Sequence, residues 1–449
     1  MNKPPRGLLK RRAARMGSTP CEGIQPSRRD IVGSVSAFAT MAGLGLSSSP
    51  HLAGQADSSN RAGILFEGFA APPKAGVYEA ILGQLDESRY CLFFGEGRKL
   101  VAKFSMDHGR TWGATTLLRD VHGSPIPLAR NVAHLSLFHL RSGALGIVHG
   151  GPESRPGRDG TVMYRSSHDG GKTWSDPVVV DPLFSVCDPA HGLVLSTGRI
   201  LVPVFAWLSA FSGGESESEE NGITYSWIFY SDDEGKTWKR SLSELFVSVN
   251  QGRSGAFAFE EPSVVELKDG RILLFGRTEL GRFYRSVSKD SGVTWSVPQP
   301  VALAASYCAP LLIRIPATGD VMLIWNQSSG EEILAGLSRH RLSTAISKDD
   351  GATWMHFRNL ESLDDRARLS PPSDQPRVYR MVDYEYRQPA DPVRYKRAPG
   401  SLRICYPSVA FHQNEVAIAY DFGYGVGELK DRSTTKIKIV SVDWLYGRA

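Results

Sequence analysis

The stretch Ser347-Lys348-Asp349-Asp350-Gly351-Ala352-Thr353-Trp354 is one of five copies of a single phrase, S-x-D-x-G-x-T-W. The others run from Ser105 to Trp112, Ser167 to Trp174, Ser231 to Trp238 and Ser288 to Trp295. Their aspartates, Asp107, Asp169, Asp233, Asp290 and Asp349, stand 62, 64, 57 and 59 residues apart. A nearly constant period of this size marks an array of equal supersecondary units. Each copy follows a strand-like run, such as Thr161–Tyr164 or Trp227–Tyr230. The aspartate can accept turn amides, the glycine can take positive φ, and the tryptophan can close the turn against the strands. The phrase therefore reads as a hairpin cap with a structural role, although its aspartates resemble a calcium or catalytic motif.

A second repeat lies between these caps. The run Val264-Val265-Glu266-Leu267-Lys268-Asp269-Gly270-Arg271-Ile272-Leu273-Leu274-Phe275 places apolar strands on both sides of a two-residue turn. Parallels occur at Ser142-Gly143, Thr197-Gly198 and Thr318-Gly319, with weaker copies at Asp86-Glu87 and Asn414-Glu415. Six such hairpins alternate with the caps, so each period holds two hairpins and four strands, the content of a propeller blade. The fold expected is all-β, a six-bladed propeller. Its sixth blade lacks a cap phrase and would be completed by an N-terminal strand between Ala62 and Phe69, which removes the exposed edges of the ring.

Composition agrees with many short strands: 449 residues, 41% hydrophobic, with 45 glycines and 27 prolines. The formal charge of +5 is local. Residues 1–30 hold eight basic side chains against Glu22 and Asp30, a net +6, and residues 31–56 hold no charge, which leaves −1 for the rest. That body lacks the basic excess that phosphate backbones require, so no nucleic acid is expected as partner. Residues 1–56 have the order of an export leader. A basic region precedes Ser27-Arg28-Arg29-Asp30-Ile31-Val32, followed by a weak apolar run to Leu46 and small residues near Ala56. The paired arginines are twin-arginine-like, which implies a periplasmic or extracellular protein; a basic extension or a later start at Met16 is the alternative. The apolar run is too short and too rich in Gly and Ser to span a bilayer. Cys91, Cys187, Cys308 and Cys405 have no metal-ligand spacing and are expected as buried free thiols. Neither a metal nor another cofactor is called for. The domain division expected is a leader and linker over 1–56 and a propeller over 57–449, with 361–403 inserted over the face opposite the caps.

The inner strand of each blade starts at that opposite face, and the inner hairpin measures back to it. Nine residues before each turn stand Tyr78, His134, Pro189, Glu261, Pro310 and Tyr406; seven after Gly270 stands Arg277. An acid, an arginine, a histidine and two tyrosines are thus expected around one channel mouth.

At this point the chain resembles the sialidase superfamily, the BNR or Asp-box repeat proteins, over roughly Ala62 to Leu445. The resemblance implies that Glu261, in Glu261-Pro262-Ser263-Val264, activates a nucleophilic tyrosine, that Tyr406 in Cys405-Tyr406-Pro407-Ser408 is that tyrosine, and that Arg277 grips a substrate carboxylate. Arg339 resembles a third arginine of the family, with Arg341 as a close competitor. Two family elements are absent: the first arginine, whose place falls in Val77–Leu82 near Tyr78, and the acid-bearing loop, reduced to Gly95-Glu96-Gly97-Arg98-Lys99. Glu96 is then a candidate acid and Arg98 a candidate replacement for the arginine, while His134, Asp188 and His191 share the face. Chemically, a phenol is a weak nucleophile at neutral pH and needs a carboxylate base beside it, and arginines bind a carboxylate bidentately. The insert, rich in Tyr and Arg, is expected to act as a lid, while four carboxylates at Glu215–Glu220 are an awkward neighbour for an anion. The function implied is an exo-glycosidase releasing a terminal acidic sugar, sialic acid or a relative, from a glycan. The alternatives are a propeller glycosidase or lyase for another uronate-type glycan and a non-catalytic glycan-binding propeller.

Overall fold

Six antiparallel blades follow one another along the chain. The computed structural model describes residues 62–70, 80–128, 134–153, 160–181, 186–187, 191–207, 224–253, 255–334, 337–362, 402–424 and 434–448. The expected leader, Tyr78, Asp188, the acidic loop and residues 363–401 of the insert lie outside them. Blade 4 is typical, with strands Glu260–Glu266, Ile272–Arg277, Arg282–Ser288 and Gln299–Ala304 hydrogen-bonded in that order. Blades 1, 2 and 5 have the same four-strand order, and blade 3 differs only in an inner strand split into Val186–Cys187 and Leu193–Val194. Blade 6 consists of Leu402–His412, Glu415–Tyr424, Thr434–Ser441 and, as its outer strand, Ile64–Phe69 from the beginning of the fold. The ring is therefore closed by the N-terminal strand that the missing sixth cap implied.

The caps form where the third strands end. In the fifth, Ser347 Oγ donates to Asp349 Oδ1 at 2.8 Å and accepts from the Gly351 amide at 2.7 Å. Asp349 also accepts the Thr353 amide and, through Oδ2, the Thr353 hydroxyl at 2.6 Å. The Thr353 hydrogen bonds, side chain first, hold the Asp349 carboxyl down to about 2. The same Ser–Asp–Thr network recurs at Asp107, Asp169, Asp233 and Asp290, so these carboxylates are fully occupied by their own turns. In blade 6 the third strand ends at Ser441, which caps the short helix Val442–Leu445 by accepting the Trp444 amide at 3.0 Å. A helix thus stands where the other blades carry the Asp turn.

Burial is organised by seam. Six of the apolar clusters each join two adjacent blades, one for every seam of the ring. The cap tryptophans enter them: Trp174 of blade 2 is fully buried against Ile81, Phe93 and Leu100 of blade 1. Replacement of Trp174 by alanine removes a large buried ring from a seam and should lower unfolding stability by about 3–5 kcal/mol. Leu242→Ser, at a side chain 80% exposed, should change it by less than about 0.5 kcal/mol. Urea midpoints of the two variants check this; equal losses would show that the seams do not carry the stability.

Candidate active site

Glu261 lies on the inner strand of blade 4 and Tyr406 on that of blade 6, with blade 5 between them in the ring, and their side chains meet. Each sits in the same local structure. In blade 4, Glu260 pairs with Arg277 and Ser263 with Phe275, so Glu261 and Pro262 together face the single residue Gly276. In blade 6, Cys405 pairs with Asp421 and Ser408 with Ala419, so Tyr406 and Pro407 face Tyr420. Two residues against one is a β-bulge, which bends the strand and re-aims a side chain. Proline suits the second position because it has no amide proton to leave unpaired. The first residue takes the left-handed region, φ 45° at Glu261 and 53° at Tyr406, a conformation costing about 1–3 kcal/mol in a residue with a side chain. His134, nine residues before its own turn, has φ 40° as well.

The bulges bring the two groups within a hydrogen bond. Tyr406 Oη donates to Glu261 Oε1 at 3.1 Å. Glu261 is buried and Tyr406 half-buried. Burial pushes the Glu261 carboxyl above its ordinary 4.5 against the opposing pull of Arg277, and the charge of Glu260 adds to the rise. Burial, then the Glu261 charge, drives the Tyr406 hydroxyl well above 10. The pair is therefore a neutral phenol donating to a carboxylate whose affinity for a proton is enhanced.

Arg277 has a different set of partners from the one the resemblance implies. Its Nε and Nη2 donate to Glu260 Oε2 at 2.9 and 2.5 Å, and Nη1 lies 2.7 Å from Glu261 Oε2. The guanidinium is 4% exposed and lies over the Tyr307 ring, 4.0 Å from its centroid. Glu260 also accepts from Tyr307 Oη at 2.5 Å and Thr224 Oγ1 at 2.7 Å. Two adjacent buried carboxylates repel, and Arg277 is the cation that holds both.

Arg339 and Arg341 are separated by the fold. Arg341 is fully buried, paired with Glu332 at 3.1 Å and donating to the Gln327 carbonyl; its place is in the wall between strands. Arg339 is half-buried beside the site, with its guanidinium 5.6 Å from the centroid of the Tyr406 ring and Nη1 3.5 Å from Cys405 Sγ. The stretch expected to replace the acid loop is a two-residue turn: Glu96 pairs with Lys99 across Gly97 and Arg98, whose φ angles are 56° and 58°. Glu96 and Arg98 are both exposed at its tip. His134 is half-buried, and His191 is buried, its imidazole pushed down to about 3 by burial, hence neutral. Among the described residues no three His, Cys, Asp or Glu side chains are grouped to hold a metal ion, and no helix is long and apolar enough to cross a membrane.

Three site residues were not anticipated from the sequence: Glu260, Tyr307 and Arg403. The doubled acid Glu260-Glu261 before a proline was a readable signal for the first. The expected insert over 361–403 puts Arg403 at its edge. That residue is instead part of the blade 6 inner strand, on the same side of that strand as Cys405 by alternation, and half-buried. The charges acting on it are those of Cys405, Arg339, Asp421 and Tyr406. Burial pushes the Cys405 thiol up to about 12, so it is neutral.

The hydrogen-bonded pair has a spectroscopic consequence. Glu261→Gln removes a negative charge that raises Tyr406, so the phenol should ionise at lower pH in the variant than in the native protein. Phenolate absorbance, taken as a difference against Tyr406→Phe in each background, measures this. An unchanged titration would show that the two side chains do not share a field.

Comparison with known proteins follows the same lines. A family model described as a BNR repeat-like domain matches residues 156–418. A sialidase of Micromonospora viridifaciens is 26% identical over 288 residues, covering 57% of this chain and 40% of that protein. An anhydrosialidase of Macrobdella decora is 31% identical over 150 residues, 31% of this chain and 17% of its own. The chain thus spans less than half the length of these curated relatives. Among solved structures, a protein of unknown function from Dyadobacter fermentans superposes with a TM-score of 0.54 at 17% identity, covering 84% of this chain and 98% of its own. The sialidase of Trypanosoma rangeli gives 0.51 at 14% identity, covering 83% and 56%. These two likenesses concern the fold, while the family match covers more than half of the sequence: the chain belongs to the BNR repeat-like domain family, within the sialidase superfamily.

Proposed function

We propose that the protein is a sialidase-like exo-glycosidase that releases a terminal acidic sugar from a glycan, with Tyr406 as nucleophile and Glu261 as its base. The observation that carries this reading is the 3.1 Å hydrogen bond from Tyr406 Oη to Glu261 Oε1, set at the axis of a propeller in blades whose turns are otherwise spent on structure. As Oη attacks the anomeric carbon, its proton passes to Glu261 while the bond to the leaving oxygen breaks. A neutral phenol approaches an anomeric carbon that bears a carboxylate with less repulsion than a carboxylate nucleophile would suffer. The leaving oxygen must be protonated by an acid or depart as a stable anion. The two-residue turn at Gly97-Arg98 leaves room for only Glu96 where the family's acid loop is expected. Aryl glycosides, whose leaving group needs no acid, should therefore be turned over much faster than alkyl-linked oligosaccharides.

That same turn, with the missing first arginine, favours a second reading in which the acidic glycan is a uronate rather than a sialoside. Fluorogenic sialosides and uronate-terminated oligosaccharides, assayed in parallel, separate the two, and binding without turnover of either would leave a glycan-binding propeller. Glu261→Gln and Tyr406→Phe should each lower kcat by about 10²–10⁴-fold on whichever substrate is cleaved. The base works only when ionised, and its proton affinity is raised, so kcat/KM should fall with decreasing pH through a value above 4.5. Full activity in both variants would remove Tyr406 and Glu261 from the chemistry.

A further inference from the structure

A groove of about 470 Å³ runs along the seam between blades 4 and 5, and it shares no residue with the pair Glu261 and Tyr406. One wall is the outer strand of blade 4, from Pro300 to Ala304. Arg282 pairs with Ala304 and Tyr284 with Pro300, so Val301, Ala302 and Leu303 together stand against the single residue Phe283. An excess of this kind bends a strand. Val301 and Leu303 turn into the seam while Ala302 stays exposed. The other wall is residues 351–354 of the fifth cap, followed by Phe357.

Three polar groups at this groove lack a partner. Gln327 follows the second strand of blade 5, Val321–Trp325, and is 2% exposed. Its carbonyl accepts from Arg341 Nη1 at 3.1 Å, which fixes its main chain. Its side-chain amide meets no hydrogen-bonding group among the described residues, and a buried amide left so is unfavourable. Trp354 Nε1 is buried and unpartnered as well. Three other cap tryptophans return that proton to their own glycine carbonyl: Trp112 to Gly109, Trp238 to Gly235 and Trp295 to Gly292. Arg285 lies on the blade 5 side of its strand, by alternation with Phe283, and is exposed. It forms no ion pair among the described residues, and no other charged residue lines the groove.

These groups define the chemistry of an occupant. An aliphatic ligand would leave Gln327 and Arg285 unanswered, and a neutral sugar would leave the guanidinium without a counter-charge. A phosphate polymer requires an array of cations, and the groove offers one. Tryptophan and phenylalanine rings suit the C–H face of a pyranose, an amide suits its hydroxyls, and a planar guanidinium suits a carboxylate. We propose that the groove is a second saccharide-binding site, separate from Glu261 and Tyr406, that takes a pyranose unit bearing a carboxylate. Arg285 receives the acid, the Gln327 amide and the Trp354 Nε1 proton meet sugar oxygens, and Phe357 and Leu303 supply apolar surface. Its volume falls within the range of small-ligand sites, about 300–1,000 Å³. Recognition on this flank requires no hydrolysis, so it holds for an enzyme and for a glycan-binding propeller alike.

Hydrogen exchange followed by mass spectrometry locates the ligand on the full chain. The probes are a tetrasaccharide of alternating glucuronate and N-acetylglucosamine, and sialyllactose, each beside its carboxyl-reduced form. At least one acidic probe should slow exchange in peptides spanning 299–304 and 351–357, in the native protein and equally in Tyr406→Phe. Arg285→Gln, at an exposed side chain, should raise the probe concentration needed for that protection by about tenfold and leave turnover of fluorogenic glycosides unchanged. Ala302→Trp fills the groove from an exposed position and should abolish the protection; if it does not fold, Arg285→Gln decides alone. Protection of these peptides by neither acidic probe overturns the proposal, and turnover of acidic glycosides in the same protein then leaves the chemistry of Tyr406 and Glu261 standing. Protection that is lost in Tyr406→Phe, or unchanged in Arg285→Gln, also overturns it. Equal protection by an acidic probe and its reduced form overturns the choice of an acid.

Discussion

The site depends on a strained backbone held in place by a serine two residues further on. His134, just before the inner strand of blade 2, and Glu261 and Tyr406, within the inner strands of blades 4 and 6, all take the left-handed region. In each case the second residue after them is a serine whose Oγ accepts an amide of the next blade. Ser136 takes Gly192 at 3.0 Å, Ser263 takes Leu312 at 2.9 Å, and Ser408 takes Leu82 at 2.8 Å. The last of these joins blade 6 to blade 1, across the closure of the ring. A conformation costing about 1–3 kcal/mol persists only where its surroundings over-determine it. Here the surroundings are a seam: the bond that stitches two blades also fixes the strand start that turns a side chain to the axis. Position in the ring and aim of the functional group are one constraint.

Electrostatics follow from that placement. Glu261 is carried into the interior next to Glu260, and without Arg277 the two would be buried like charges. The guanidinium answers both, Tyr307 and Thr224 complete Glu260, and what remains for Tyr406 is the Oε1 of Glu261. Arg341 plays a parallel structural part in blade 5, where it satisfies Glu332 of the short helix Gly330–Leu334. Arg277 and Arg341 are thus both occupied with the protein's own carboxylates.

Much of this was legible because it is local. The Ser, Asp, Gly, Thr and Trp of the caps bond to one another within eight residues, so five copies, read with the six inner hairpins, announce the blade count and the face they occupy. The inner hairpin has a nearly fixed length, so counting nine residues back from Gly143, Gly270 and Glu415 lands on the three left-handed residues. Pro262 and Pro407 even repeat the same x-Pro-Ser-Val phrase in both bulges. What could not be read is set between distant segments. Arg339 and Arg341 differ by two positions in the turn that precedes the strand Leu342–Ser347, so spacing alone cannot choose between them. The choice is made by Glu332, which claims Arg341, and by Ile404, which binds the main chain of Arg339. Arg403 was hidden for the same reason. It follows a long stretch rich in arginine and tyrosine, and only the pairing of its strand with Asp421 and Gly423 gives it to the site. The occupation of Arg277 by Glu260 was likewise invisible, since a resemblance transfers residue types and not their partners.

The central claim is that the bulge in blade 6 presents Tyr406 as a nucleophile to an acidic sugar. Peptide mapping by mass spectrometry after exposure to a 2,3-difluorinated acidic sugar, a reagent that slows release of a glycosyl-enzyme, tests this most directly. The account predicts a covalent adduct on the peptide containing Tyr406, absent in Tyr406→Phe. Labelling at another residue, or an unmodified Tyr406 in a protein that turns over acidic glycosides, would contradict it.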